Sequence, residues 1–233
     1  MRKTAFRVKQ GIRLLTITAL LISLITLSNY EHHPEQVTEQ RFVKIHYSGQ
    51  VLTPWQGPWA CTLDKKTGLY WENKSDDESI HDGQWTYSWY LNGLGAANNG
   101  DCFFEAGQCD TQDLIARMNQ EKTCGLTNWR LPTQAELSSL VFESPKTGKA
   151  AIRNDFFSHT KRGDYWTAEH SKPLTGTYHY LNNGASSVNF IDGQVSFLPY
   201  RNAAYVRLVS SPIGLIPAAQ ISSRSHHVEL TKN

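Results

Sequence analysis

Hydrophobic residues follow three different rhythms along this chain. From Leu14 to Leu27 they run without a charge, behind a basic stretch that ends at Arg13. As a helix, such a run reaches about 21 Å, short of the roughly 30 Å core of a bilayer. Basic start, apolar middle and polar exit at Ser28-Asn29-Tyr30-Glu31 make residues 1–30 an export-signal pattern. Thr26-Leu27-Ser28 is a weak cleavage site, so an uncleaved membrane tether over residues 12–28 is the alternative. No cysteine borders the stretch, which excludes a lipoprotein anchor. In either case the remainder is expected outside the cytoplasm: in the periplasm, on the outer surface or secreted.

The second rhythm is helical. Asp110 caps a predicted helix, Asp113 adds negative charge to its first turn, and Leu114, Ile115 and Met118 form its apolar stripe before Cys124-Gly125. A second helix starts after Pro132, where Thr133 and Glu136 form a capping box. Leu137, Leu140 and Val141 then recur at helical spacing, and Pro145 and Gly148 are expected to end it.

The third rhythm is alternation. Arg41–Tyr47 is read as an edge strand within an otherwise polar linker, residues 31–57. Tyr165–Ala168, Tyr178–Leu181 and Ala203–Val209 are further candidates. Asp192-Gly193 predicts a two-residue hairpin turn pairing Phe190 with Val195 and Val188 with Phe197 on one buried face. Helices followed by antiparallel strands give an α+β domain over residues 58–210, with a tail over 211–233.

Charge then removes one class of function. The chain of 233 residues has a formal net charge of +2, but residues 1–30 hold five basic side chains and no acid. The rest carries 18 basic against 21 acidic side chains, a net of −3. A domain without a basic surplus is not built to bind nucleic acid. Cys61, Cys102, Cys109 and Cys124 are even in number and lack Cys-x-x-Cys spacing. In an exported chain they predict two disulfides rather than zinc, and three pairings are possible.

The remaining chemistry is sparse. Trp71, Trp129 and Trp166 read as core. Arg130 is expected to pair with an acid. Asp76, Asp77, Glu78 and Asp82 lack the spacing of a calcium loop and read as solvated charge. Lys146, Lys149, Arg153, Lys161 and Arg162 form a local basic stretch. The histidines show neither metal nor triad spacing, and no nucleophile-elbow, zinc-protease, P-loop or dinucleotide motif is present. No cofactor and no metal are expected, and no enzyme activity.

Longer strings carry a resemblance. Trp59-Ala60-Cys61, Thr67-Gly68-Leu69-Tyr70-Trp71-Glu72, Trp85 to Tyr90, Cys109-Asp110-Thr111, Asn128-Trp129-Arg130-Leu131-Pro132-Thr133-Gln134-Ala135-Glu136-Leu137, Tyr165-Trp166 and Tyr205-Val206-Arg207-Leu208-Val209 resemble the Lcl C-terminal domain family in order. Gly68, Trp71, Trp129, Arg130, Pro132, Thr133, Glu136 and Trp166 are its fold motif here. The resemblance implies a bacterial envelope or secreted protein with a C-type-lectin-like fold of two helices and an antiparallel sheet. Its type member is a collagen-like adhesin that binds sulfated glycosaminoglycans, but no Gly-x-y run precedes Trp59 here. Formylglycine-generating enzymes share the Arg-Leu-Pro-Thr string, yet their reactive C-terminal cysteine pair has no counterpart beyond Cys124.

The expected function is therefore an adhesin-like or lectin-like module for surface polysaccharide or glycosaminoglycan. Lys161, Arg162, Arg201 and Arg207, with Tyr178, Tyr180 and Tyr200, are the candidate contacts. The alternative is a membrane-anchored accessory domain that binds a protein of a cell-envelope assembly.

Overall fold

The computed structural model describes residues 40–102, 107–142 and 148–211. The N-terminal segment, Pro145, Lys146 and the tail from residue 212 lie outside them. Chain contacts divide after Gln40, and the unit that begins at Arg41 is the one described here.

A four-stranded antiparallel sheet opens the domain. Strand β1 (Phe42–Ile45) pairs with β2 (Cys61–Asp64), which pairs with β3 (Leu69–Glu72). The sheet thus begins within the stretch assigned to the linker. Phe42 and Ile45 are buried, which fixes this edge strand to the domain. The β2–β3 hairpin turns at Gly68, whose φ of 71° suits a residue without Cβ. Asp64 secures its base: the carboxylate is fully buried and accepts Arg41 Nε at 2.9 Å and Nη2 at 2.7 Å.

Strands β4 (Tyr90–Leu91) and β5 (Leu94–Gly95) make a short hairpin ahead of helix α1 (Thr111–Glu121). Asp110 caps α1 as expected, accepting from the backbone N–H of Gln112 and Asp113, and Asp113 closes the box. Leu114 and Met118 are buried, so the stripe faces the core. Helix α2 (Gln134–Ser138) has its Thr133–Glu136 box in place. It is shorter than expected. Leu140 N–H bonds to Leu137 O and Val141 N–H to Ser138 O, a tightening that ends the helix before Pro145. Phe142 then bonds to Ala151 instead of continuing the turn.

The second sheet is centred on β8 (Asn183–Asn189). Its neighbours are β6 (Asp164–Trp166), β7 (Lys172–Pro173) and β9 (Val195–Leu198), all antiparallel to it. The hairpin at Asp192-Gly193 forms, but its register differs from the expected one by two residues. Val188 pairs with Val195 and Ser186 with Phe197. Asn189 N–H bonds to Gln194 O, which leaves four residues, Phe190 to Gly193, in the loop. The cause is the core: Phe190 is fully buried and leaves the ladder to reach it. Val195 and Phe197 stay 40% and 43% exposed on the outer strand.

Two other strand expectations change. Gly176–Leu181 is a 3-10 turn with no buried residue, so the Tyr178–Leu181 alternation had no core face to fill. Between Ala203 and Val209 only Val209 belongs to a strand, β10 (Val209–Ser210), which pairs with β3. The preceding residues bond in turn to Tyr87, Asp164 and Glu72. A segment that changes partner this often makes single bridges rather than a ladder. It runs through the interior, with Val206, Arg207, Leu208 and Val209 fully buried.

Two apolar clusters fill the domain. One gathers Trp89, Trp129, Trp166, Leu114, Met118, Leu131 and Val206; the other gathers Trp71, Leu137, Phe157, Tyr165, Val188 and Phe190. The three motif tryptophans are thus core, as their sequence setting indicated.

Candidate functional site

The basic and aromatic contacts expected for a glycan do not converge. Lys161 and Arg162 precede β6, which pairs at the Asn189 end of β8. Tyr178 and Tyr180, 40% and 62% exposed, follow β7, which pairs at the Asn183 end. Six residues of strand separate those ends by about 20 Å. Tyr200 is half-buried: its ring lies 5.2 Å from that of Trp89, and its hydroxyl accepts from Ser171 N–H. Arg201 is exposed. Arg207 is fully buried and cannot meet a surface ligand. Its guanidinium donates to Glu72 O and Thr160 Oγ1 and lies over the ring of Phe157.

The motif residues are structural. Arg130 makes a two-pronged pair with Glu136, both contacts 2.8 Å, which also locks the cap of α2. Trp166 Nε1 donates to Tyr87 O and Trp129 Nε1 to Thr123 O. In the acidic loop Asp82 accepts from Glu78 and Gln84 N–H, and Asp77 from Ser75 and Ser79. Among the described residues no three His, Cys, Asp or Glu side chains are grouped to hold a metal ion.

A cavity of about 580 Å³ lies elsewhere, between the end of β3, the end of α1 and the loops at His46–Tyr47, Pro58–Ala60 and Ser158–His159. Its size suits a small organic ligand. Asn73 fixes one wall, donating to Trp59 O and Ser158 Oγ and accepting from Ser158 N–H. The Cys61–Cys124 disulfide ties the wall at Ala60 to the wall at Thr123. The second disulfide joins Cys102 and Cys109, so both pairings are now assigned.

Charged groups from distant parts of the chain meet on this cavity. Glu72 and Lys74 are almost wholly buried, with Lys74 Nζ 2.7 Å from Glu72 Oε1. His81 bridges two carboxylates, Nδ1 at 3.3 Å from Glu72 and Nε2 at 2.9 Å from Glu121. Burial alone would raise the pKa of Glu72, but the charge of Lys74 and the hydrogen bond from His81 outweigh it and hold the carboxyl at about 2. Burial opposes the charged form of His81, yet its bonds to Glu121 and Glu72 lift it to about 9. Burial pulls the Lys74 ammonium down, opposed by Glu72. Near neutral pH Glu72 is an anion and His81 a cation, so the two form an ion pair.

Sequence inspection missed this cluster. Glu72 merely ends an aromatic strand that Lys74 follows, and His81 and Glu121 are forty residues apart. The one visible signal was the run of charge at the exit of Leu69-Tyr70-Trp71. Thr123 also lines the cavity, but its hydroxyl is buried out of reach of that space, with no hydrogen-bond partner among the described residues.

An α+β domain with antiparallel sheets, two disulfides and a side cavity is the class these features define. Within it, the chain belongs to the Lcl C-terminal domain family, whose profile matches residues 60–210. No curated protein and no solved structure matches the chain. The disulfides suit an oxidising compartment. Among the described residues no helix is long and apolar enough to cross a membrane.

Proposed function

We propose that this chain is an exported, non-catalytic, lectin-like module that holds a sugar unit of a surface polysaccharide in the cavity beside Lys74 and Thr123. The observation that carries the proposal is the cavity itself, about 580 Å³ and lined by Tyr47, Trp59 and several polar side chains. Lys74 supports the reading, because Glu72 takes one of its three N–H donors. Trp59, Tyr47 and Met118 offer apolar surface to a sugar ring, and Asp76 and Asp77 offer acceptors to its hydroxyls. Those rim acids favour a neutral or amino sugar over a sulfated glycosaminoglycan.

The absence of chemistry is part of the proposal. Both Glu72 and His81 are held in one protonation state across neutrality, unlike a general acid or base poised near its pKa. A glycan array at low and moderate salt tests the binding. Retention of neutral saccharides is expected, with affinity lowered about 3- to 10-fold by Asp76→Ala, the value of one hydrogen bond. No retention at either salt, or an unchanged Asp76→Ala variant, would overturn it. The N-terminal sequence of the protein from its host decides the export mode: a start near Asn29 means secretion, an intact Met1 a tether.

A further inference from the structure

Strand β9 has a neighbour, β8, on one side only. The bond from Asn189 N–H to Gln194 O sets the phase of this ladder. Residues 194, 196 and 198 therefore direct their backbone groups toward β8, and Val195 and Phe197 direct theirs to the open edge. Among the described residues no backbone bond occupies that edge. Val195 and Phe197 are also the residues of this strand with exposed apolar side chains, and both lie on the same face.

Exposed edges are normally protected by lysine, proline within the strand, a bulge or a cover. Val195–Leu198 has no charged residue, no proline and an unbroken register with β8. More apolar surface lies nearby. Ile191 is 37% exposed on the hairpin loop, and Phe142 is 57% exposed beside Val141, which packs against Gly193.

The geometry points to a second copy of this chain as the occupant: we propose that two domains pair through β9, antiparallel, about a two-fold axis at Ser196. The edge is complementary to itself in this register. Val195 N–H and C=O meet the C=O and N–H of Phe197 in the other copy, and Phe197 meets Val195, giving four backbone bonds. Each Val195 side chain lies against a Phe197 ring, a favourable β-branched–aromatic cross-strand pair. No charge in the strand opposes its own image. The same patch serves both copies, as a two-fold interface requires. An unrelated strand would gain the bonds without this matching of side chains.

The register makes a sharp prediction. Ser196 faces its own copy as a non-hydrogen-bonded pair, with Cα atoms about 4.5 Å apart. That separation lies within the range a disulfide spans. The full chain carrying Ser196→Cys is expected to cross-link into a covalent dimer under air oxidation, whereas Val195→Cys, whose opposite residue is Phe197, is not. Light scattering across a concentration series is expected to show a reversible dimer for the unsubstituted chain. Val195→Lys should weaken that dimer at least tenfold while circular dichroism stays unchanged. Combining Val195→Lys with Phe197→Glu places opposite charges across the axis and should restore association. A chain that stays monomeric at all concentrations without Ser196→Cys cross-linking overturns the proposal. So does a dimer indifferent to Val195→Lys, or equal cross-linking at positions 195 and 196.

Discussion

Glu72 is the residue on which the interior charges depend. Its carboxylate holds Lys74 and His81 and also accepts Leu208 N–H at 3.0 Å. Glu72→Gln leaves the buried Lys74 ammonium without its carboxylate and His81 with Glu121 alone, so a loss of about 3 kcal/mol or more is expected in urea unfolding. The pH dependence follows from the same pair. The folded carboxyl titrates at about 2, below its ordinary 4.5. Its stabilisation is therefore complete above 4.5 and is lost as the pH falls toward 2. His81 shifts the other way, to about 9 from 6.5. Its contribution is complete below 6.5 and is lost as the pH rises through 9. Stability from this cluster should be greatest between about pH 4.5 and 6.5, and His81→Gln should flatten the alkaline decline. Urea midpoints at intervals from pH 3 to 10 measure both limbs.

At the scale of elements, caps and turns account for where the chain starts and stops its regular structure. Asp110 accepts the N–H of Gln112 and Asp113 and that of Asn98. Asp110→Ala removes these together and is expected to cost about 1–2 kcal/mol, read as a lowered urea midpoint with an unchanged slope. This motif was legible because cap and partner lie within four residues. The β8–β9 turn was only half legible. Asp192-Gly193 marked the place, but the loop length was set by Phe190 entering the second cluster, a contact no local pattern records. The strand-like Tyr178–Leu181 failed for the converse reason: alternation forms a strand only where a face can be buried.

For the molecule as a whole, the two disulfides contribute unequally. Cys61–Cys124 closes a loop of 63 residues and Cys102–Cys109 one of 7. On chain entropy the first is worth about 4 kcal/mol and the second about 2.5. Replacing the Cys61–Cys124 pair with alanines should therefore destabilise the fold more than replacing Cys102–Cys109, in thermal melts of the two variants. It should also weaken saccharide binding, because that bridge joins two walls of the cavity.

The sequence by itself determined whatever depends on neighbours along the chain or on composition. It set the α+β class, the Asp110 and Thr133 caps, the core tryptophans, the oxidised cysteines and the family strings. Tertiary structure alone decided which cysteines pair, that Arg207 is interior, and that Glu72, Lys74, His81 and Thr123 line one cavity. The physical reason is range. A cap or a turn is settled by bonds spanning a few residues, whereas burial and charge pairing depend on groups brought together across the whole fold.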